Sequence, residues 1–277
     1  MSRTKDLYRE GKDDTMFIIG ELINGMYKEV GKAIVEKDKK VIQRIARQQL
    51  ENGANALDVN VGPVAKDPVD AMKWLTETIQ EVADAPLCFD STKITVIEAG
   101  LKLAKKKAII NSTPADDEKL NVLLPLAKKY NAQIIGLTTD KNGVPRDRFK
   151  RSELALKIIA SCMEHGLNPE DVYIDPIVLP VNVAQPQATE VLESIREFKV
   201  ISDPPPKTVV GLSNVSQGAQ NRNLINRTFI AMAVANGLSA AILDPLDKEL
   251  MDAMITAELI LNKSIYCDSY LDAYRKR

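Results

Sequence analysis

The chain has 277 residues, of which 45% are hydrophobic and 27% charged, and its net charge at pH 7 is −1. That length and apolar content suit one large core, and the balanced charge excludes an electrostatic footprint for nucleic acid or an anionic membrane. The longest apolar runs, such as Thr228–Ala235, are too short for a bilayer span, and residues 1–15 are too polar for a signal peptide.

The first 15 residues are read as a flexible leader, followed by one domain over 16–277. Cys88, Cys162 and Cys267 are odd in number, far apart and without C-x-x-C spacing. They are expected to be reduced structural thiols in a cytoplasmic protein, with neither a disulfide framework nor a zinc knuckle.

Met16–Asn24 is a β-branched run, and Gly31–Glu51 carries apolar residues at helical spacing, which predicts a strand and then a helix. The alternation continues with strands near Ala56–Val61, Leu87–Ser91, Ala108–Ser112, Gln133–Thr139, Val172–Pro180, Lys207–Asn214 and Ser239–Asp247. Each is followed by an amphipathic stretch. Strands that are continuously apolar before a polar end fit parallel strands buried on both faces, so the class is α/β. Eight units within one domain length favour a single closed TIM (β/α)8 barrel; an open doubly wound sheet shares the same periodicity. Asp116 or Asp117 is expected to start one helix, Gly166 to follow the end of another, and Pro204–Pro206 to form a short loop before the seventh strand.

In a barrel of this kind the C-terminal strand ends converge on the active site. Here those ends carry Asn24, Asp58, Asn60, Asp90, Asn111, Thr138, Asp175, Asn214 and Asp244. One such residue is usually a turn or cap residue, whereas a whole ring supplies many directional hydrogen bonds. The one histidine, His165, lies in Glu-His-Gly at a predicted helix end, on the mouth opposite the ring. No metal site is assigned, although carboxylates and amides can hold a hard cation such as Mg²⁺. No G-x-S-x-G, G-x-G-x-x-G or Walker sequence occurs, so acyl transfer, dinucleotide hydride transfer and ATP-dependent phosphoryl transfer lack their usual parts. A pocket of amides and buried carboxylates suits a planar heterocycle such as a pterin, whose adjacent N–H and NH₂ one carboxylate accepts in bidentate fashion.

Six segments, Ile-Gly-Glu-Leu-Ile-Asn24, Ala-Leu-Asp-Val-Asn-Val-Gly62, Leu-Cys-Phe-Asp-Ser-Thr92, Ile-Asn-Ser-Thr113, Tyr-Ile-Asp-Pro-Ile-Val-Leu-Pro180 and Gly-Leu-Ser-Asn-Val-Ser-Gln217, resemble the pterin-binding methyltransferases. The likeness is greatest to methyltetrahydrofolate:corrinoid/iron–sulfur protein methyltransferase and the corrinoid-protein:tetrahydrofolate methyltransferases of demethylase systems. Dihydropteroate synthase and the folate domain of methionine synthase are more distant.

The resemblance implies that Asp90, Asn111 and Asp175 hold the pterin of tetrahydrofolate or 5-methyltetrahydrofolate, with Asp175 at its aminopyrimidinone edge. It implies that Asn214 hydrogen-bonds N5 and is the catalytic residue, that Gln217 and Arg222 lie near the folate, and that Asp58 and Asn60 support the floor. Leu22 stands where the family often has arginine, so a polar contact near the first strand is expected to be missing.

The implied partners are a transiently docked corrinoid protein, which brings the cobalamin, and a second copy of the chain as a homodimer. The D-x-H-x-x-G element that ligates cobalt in many corrinoid proteins is absent, which agrees with a cobalamin that arrives from outside. A dihydropteroate synthase-like enzyme and a non-catalytic folate-binding module are the alternatives. The first needs cationic groups for a diphosphate, and Arg222 is the main cation among the mouth segments.

Overall fold

The computed structural model describes residues 15–263. In chain order its elements are β1 (Phe17–Asn24), α1 (Lys28–Glu36), α2 (Lys39–Glu51), β2 (Ala56–Asn60), α3 (Pro68–Gln80), β3 (Leu87–Asp90), α4 (Ile94–Leu101) and β4 (Ile109–Pro114). There follow α5 (Asp117–Lys129), β5 (Gln133–Leu137), α6 (Arg148–Glu164), β6 (Val172–Asp175), α7 (Val181–Phe198), β7 (Lys207–Gly211), α8 (Arg222–Ala235), β8 (Ala240–Leu243) and α9 (Lys248–Ile260). The eight strands are parallel neighbours in sequence order, and β8 pairs with β1, so the sheet is the closed barrel expected from the alternation.

Aspartates start several of the outer helices. Asp38, Asp67, Asp116, Asp147 and Asp247 each accept a backbone N–H of the first turn at 2.9–3.0 Å, a contribution of about 1 kcal/mol apiece. Asp116, not Asp117, is thus the cap of α5, and Gly166 (φ 72°) follows the end of α6 as expected. The segment Gly31–Glu51 departs from expectation, because it is two helices. Lys37 turns left-handed at φ 56° and Asp38 caps the second. Four successive polar residues, Lys37–Lys40, offer nothing to bury across the break, so the cap interaction decides the local backbone.

The barrel interior is plugged by one buried side chain from each strand: Ile19, Ala56, Cys88, Ile109, Ile135, Tyr173, Val209 and Ala240. Around it a larger apolar cluster joins the outer strand faces to the helices. Cys88 and Cys162 are buried free thiols in these two cores, while Cys267 and residues 1–14 lie outside the described residues.

Candidate active site

Side chains alternate faces along a strand, so the residue two beyond each plug position is the next to face inward. Applying that step to the plug gives Glu21, Asp58, Asp90, Asn111, Leu137, Asp175, Gly211 and Ile242, and all eight line one cavity of about 320 Å³ at the C-terminal mouth. Asn24, Tyr27, Ser112, Ile177, Ser213 and Asn214 complete its wall. The pleat of the apolar core therefore aims the polar groups.

The sequence-predicted residues divide. Asn24, Asp58, Asp90, Asn111, Asp175 and Asn214 converge on the cavity. Asn60 stands behind it, donating to Asp90 Oδ2 at 2.6 Å while its own oxygen accepts the Gly62 N–H at 2.7 Å. Thr138 does not reach the cavity; its neighbour Leu137 does, and the buried Thr138 hydroxyl donates to the Asp175 carbonyl. Taking the last polar residue of each strand, instead of the inward-facing one, produced that error. Asp244 also lies outside the cavity wall, its carboxylate accepting the Leu246 N–H at 2.9 Å.

The tail of the predicted seventh strand is a 3₁₀ turn, Leu212–Ser216, which carries Ser213 and Asn214 to the rim. Gln217 is exposed beyond it. Arg222 is tied down by Nε–H to the Ser216 hydroxyl at 3.2 Å and by Nη2–H to the Ser213 carbonyl at 3.4 Å.

Glu21 was missed because Asn24 is the last polar residue of β1. Its signal was present: it lies two positions after the plug residue Ile19. An irregularity between Gly20 and Ile23 interrupts the ladder there, and the Gln49 side chain of α2 accepts the displaced Leu22 N–H at 2.9 Å. Gly20 is required for this, since a Cβ there would stand 2.4 Å from Gln49 Oε1. Leu22 itself packs against the apolar core, so the missing arginine leaves no polar gap at that position.

Burial dominates the electrostatics of the mouth. It raises the Glu21 carboxyl to about 7, with the Asp244 charge adding to it and the Ser213 hydrogen bond and Arg222 opposing it. Burial likewise raises Asp175 to about 7, against the Ile177 N–H and the Arg151 charge. Asp58 is pushed well above the carboxylate range by burial and then by the nearby Asp90 charge. Asp90 is raised by burial, with Asn60 opposing. Behind Asp175, Arg151 is fully buried; its Nε–H donates to the Pro176 carbonyl and an Nη2–H to Gln187, each at 2.8 Å. It grips a turn in which Ile177 adopts φ 64°, a strained conformation for a β-branched residue, while Asp175 Oδ1 accepts the Ile177 N–H at 2.7 Å.

The sequence matches the family model described as "Pterin binding enzyme" over residues 28–244. It is 32% identical to the methylcorrinoid:tetrahydrofolate methyltransferase of Eubacterium limosum, over 94% of this chain and 97% of that protein. It is 29% identical to the methionine synthase of Mycobacterium tuberculosis over 83% of this chain, which spans only 20% of that larger protein. Among solved structures, dihydropteroate synthase from Yersinia pestis superimposes with a TM-score of 0.68 at 14% identity, covering 91% of this chain and 96% of that one. The Vibrio fischeri enzyme gives 0.68 at 17% identity, over 91% and 95% of the two chains; at such identities the likeness establishes the barrel fold alone.

Proposed function

The chain belongs to the pterin-binding enzyme family, and from that premise we propose that it moves a methyl group, in either direction, between N5 of tetrahydrofolate and the cobalt of a corrinoid carried by a separate protein. The observation that carries this reading is a pairing within one cavity. Asp175 keeps an acceptor oxygen unengaged, and the Asn214 amide makes no hydrogen bond to any described residue. The first suits the N–H and NH₂ of an aminopyrimidinone edge; the second suits N5 on the far side of the same bicyclic ring. Asp90 and Asn111 contact the ring between them, over a floor held by Asp58 and Asn60. Gln217 and Arg222 lie where the glutamyl tail and the docking partner approach. The 32% identity with an enzyme named for this transfer supports the same reading.

The chemistry asks for positioning and for stabilisation of charge that changes at N5. A tertiary amine leaves poorly, and a donated amide N–H that strengthens as N5 gains electron density lowers that barrier. Cobalt chemistry is supplied by the partner's corrinoid. His165 could not ligate cobalt at this site, because it ends α6 at the opposite mouth and its Nδ1 lies 2.8 Å from the Ser161 carbonyl. The methyl-transfer reading implies a cytoplasmic enzyme; among the described residues no helix is long and apolar enough to cross a membrane. Homodimerisation, which the family resemblance also implies, is checked by light scattering.

Among the described residues no Lys or Arg lines the cavity, so a diphosphate substrate of the dihydropteroate synthase type would find no described cation there. The test is anaerobic mixing of the protein and tetrahydrofolate with a methylated corrinoid protein while cobalt absorbance is followed. Conversion of methyl–Co(III) to Co(I) with formation of methyltetrahydrofolate is expected. Folate binding without transfer would make the chain a folate-binding module, and absence of folate binding would overturn the pterin reading.

A further inference from the structure

We infer that Glu21 is the base that takes the N5 proton, through the hydroxyl of Ser213, when tetrahydrofolate receives its methyl group. The inference rests on the methyl-transfer reading above and follows from the stoichiometry of that step. Tetrahydrofolate carries a hydrogen on N5 and methyltetrahydrofolate carries none. As the N5 lone pair forms the C–N bond, the Co–C bond breaks with its electron pair left on cobalt, which passes from Co(III) to Co(I). One proton must then leave N5. In the reverse direction it returns to N5 as the N5–CH₃ bond breaks and the Co(I) pair forms the new Co–C bond.

Among the described residues, the titratable groups lining the cavity are Glu21, Tyr27, Asp58, Asp90 and Asp175. Asp175 is committed to the pterin's donors and the Ile177 N–H. Asp58 accepts from the Asn111 amide at 3.1 Å and Asp90 from Asn60 at 2.6 Å. The Tyr27 phenol is driven upward by burial and by the carboxylates of Glu21 and Asp244, so it is protonated at neutral pH. Glu21 is left, and its position fits. Its Oε1 accepts the Ser213 hydroxyl at 2.6 Å, and Ser213 immediately precedes Asn214, the residue read as touching N5. A serine hydroxyl both donates and accepts, so a proton received on its oxygen can be passed to the carboxylate as its own proton is donated.

The groups facing Glu21 are Ser213 from the turn after β7, Asp244 beyond β8, Arg222 at the start of α8, Asp58 on β2 and Tyr27 before α1. Burial and this mixture of charges hold the carboxyl at about 7, where a base is best matched to neutral conditions.

The test compares Glu21→Gln, Glu21→Asp and Ser213→Ala with the wild type in single-turnover transfer from a methylated corrinoid protein between about pH 5.5 and 8.5, beside calorimetric binding of tetrahydrofolate. Glu21→Gln is expected to bind within about threefold of wild type, to transfer about 10²-fold more slowly, and to lose the limb of the pH profile near 7. Glu21→Asp should recover the limb and part of the rate. Ser213→Ala removes a hydrogen bond that lowers the Glu21 pKa, so its limb should move to higher pH. Wild-type rate and profile in Glu21→Gln overturn the inference, as do equal losses in rate and binding. Should Glu21→Gln fail to fold, an unmoved limb in Ser213→Ala overturns it. An active wild type with an indifferent Glu21 sinks this inference alone, whereas a wild type that transfers no methyl group sinks the reading beneath it too.

Discussion

The two halves of the barrel mouth are built differently. From β2 to β4 the polar groups satisfy one another: Asn111 donates to Asp58, Asn60 donates to Asp90, and the oxygen of Asn60 takes the Gly62 N–H. At β6 and the turn after β7, the Asp175 carboxylate accepts only the Ile177 N–H among the described residues, and Asn214 is held by no described side chain. In the first half side chains hold one another in place, and in the second the hydrogen-bonding capacity of Asp175 and Asn214 is turned to whatever enters. A mutation of Asn60, which stands behind the wall of the first half, should cost stability, and one in the open half should cost function with the barrel intact.

The largest effect is expected at Asp175. Asp175→Ala strands the pterin's N–H and NH₂ without an acceptor, which should weaken tetrahydrofolate binding by about 2–4 kcal/mol, roughly 30- to 1,000-fold. Melting should change little, because the same substitution removes a buried carboxylate as well as its Ile177 hydrogen bond. Calorimetry with unchanged affinity would remove Asp175 from the site, and a collapse of the melting temperature would class it with the first half.

Asn214 comes next. If its amide stabilises N5 mainly in the transition state, Asn214→Ala should slow single-turnover transfer by about 10²-fold, by analogy with loss of one oxyanion donor. Ground-state binding of methyltetrahydrofolate should suffer much less, since a hydrogen bond to a tertiary amine is weak until charge develops. Stopped-flow transfer beside equilibrium titration separates the two, and equal losses would make Asn214 a positioning residue.

The first half is probed by Asn60→Ala, which removes the donor to Asp90 and the acceptor for Gly62 without touching the cavity wall. The expected cost is about 1–3 kcal/mol of stability, a fall in melting temperature of roughly 2–4 °C per kcal/mol for a chain of this size. Folate affinity should fall by less than for Asp175→Ala. The opposite pattern, with stability untouched and binding lost, would erase the distinction between the halves.

The same contrast explains what could be read from the sequence. Strand order, closure and most of the ring follow from the alternation of apolar runs with amphipathic stretches, because burial on both faces leaves a continuous mark. Thr138 and Glu21 show where that mark gives out. Which residue of a strand faces inward is set by the phase of the pleat, and within an all-apolar run the phase is invisible until one inward residue is known. Once Ile19 and Ile135 are seen in the plug, Glu21 and Leu137 follow by a step of two. The break at Lys37 was hidden differently, since a cap and a polar pause leave the helical periodicity on either side intact.

The open half should also depend on pH, and the sign of that dependence is fixed by Asp175. The folded-state pKa of about 7 stands above its ordinary value of 3.8, so burial favours the protonated acid. That stabilisation is fully present below about pH 4 and is lost as pH rises through 7. Glu21, raised from 4.5 to about 7, acts in the same sense. The ligand-free protein should therefore melt at lower temperature at pH 8 than at pH 5. Tetrahydrofolate reverses the preference at Asp175, because its N–H and NH₂ donate to the ionised form and draw that pKa down. Binding should tighten as pH rises toward 7, by up to about tenfold per unit, and should release a proton below that pH. Calorimetry in two buffers of different ionisation enthalpy counts the proton. Using Glu21→Gln removes the second titrating group, so what survives belongs to Asp175. Proton uptake, or affinity flat across this range, would mean that the pterin meets Asp175 as the neutral acid and that the open half does not work as an ionised acceptor.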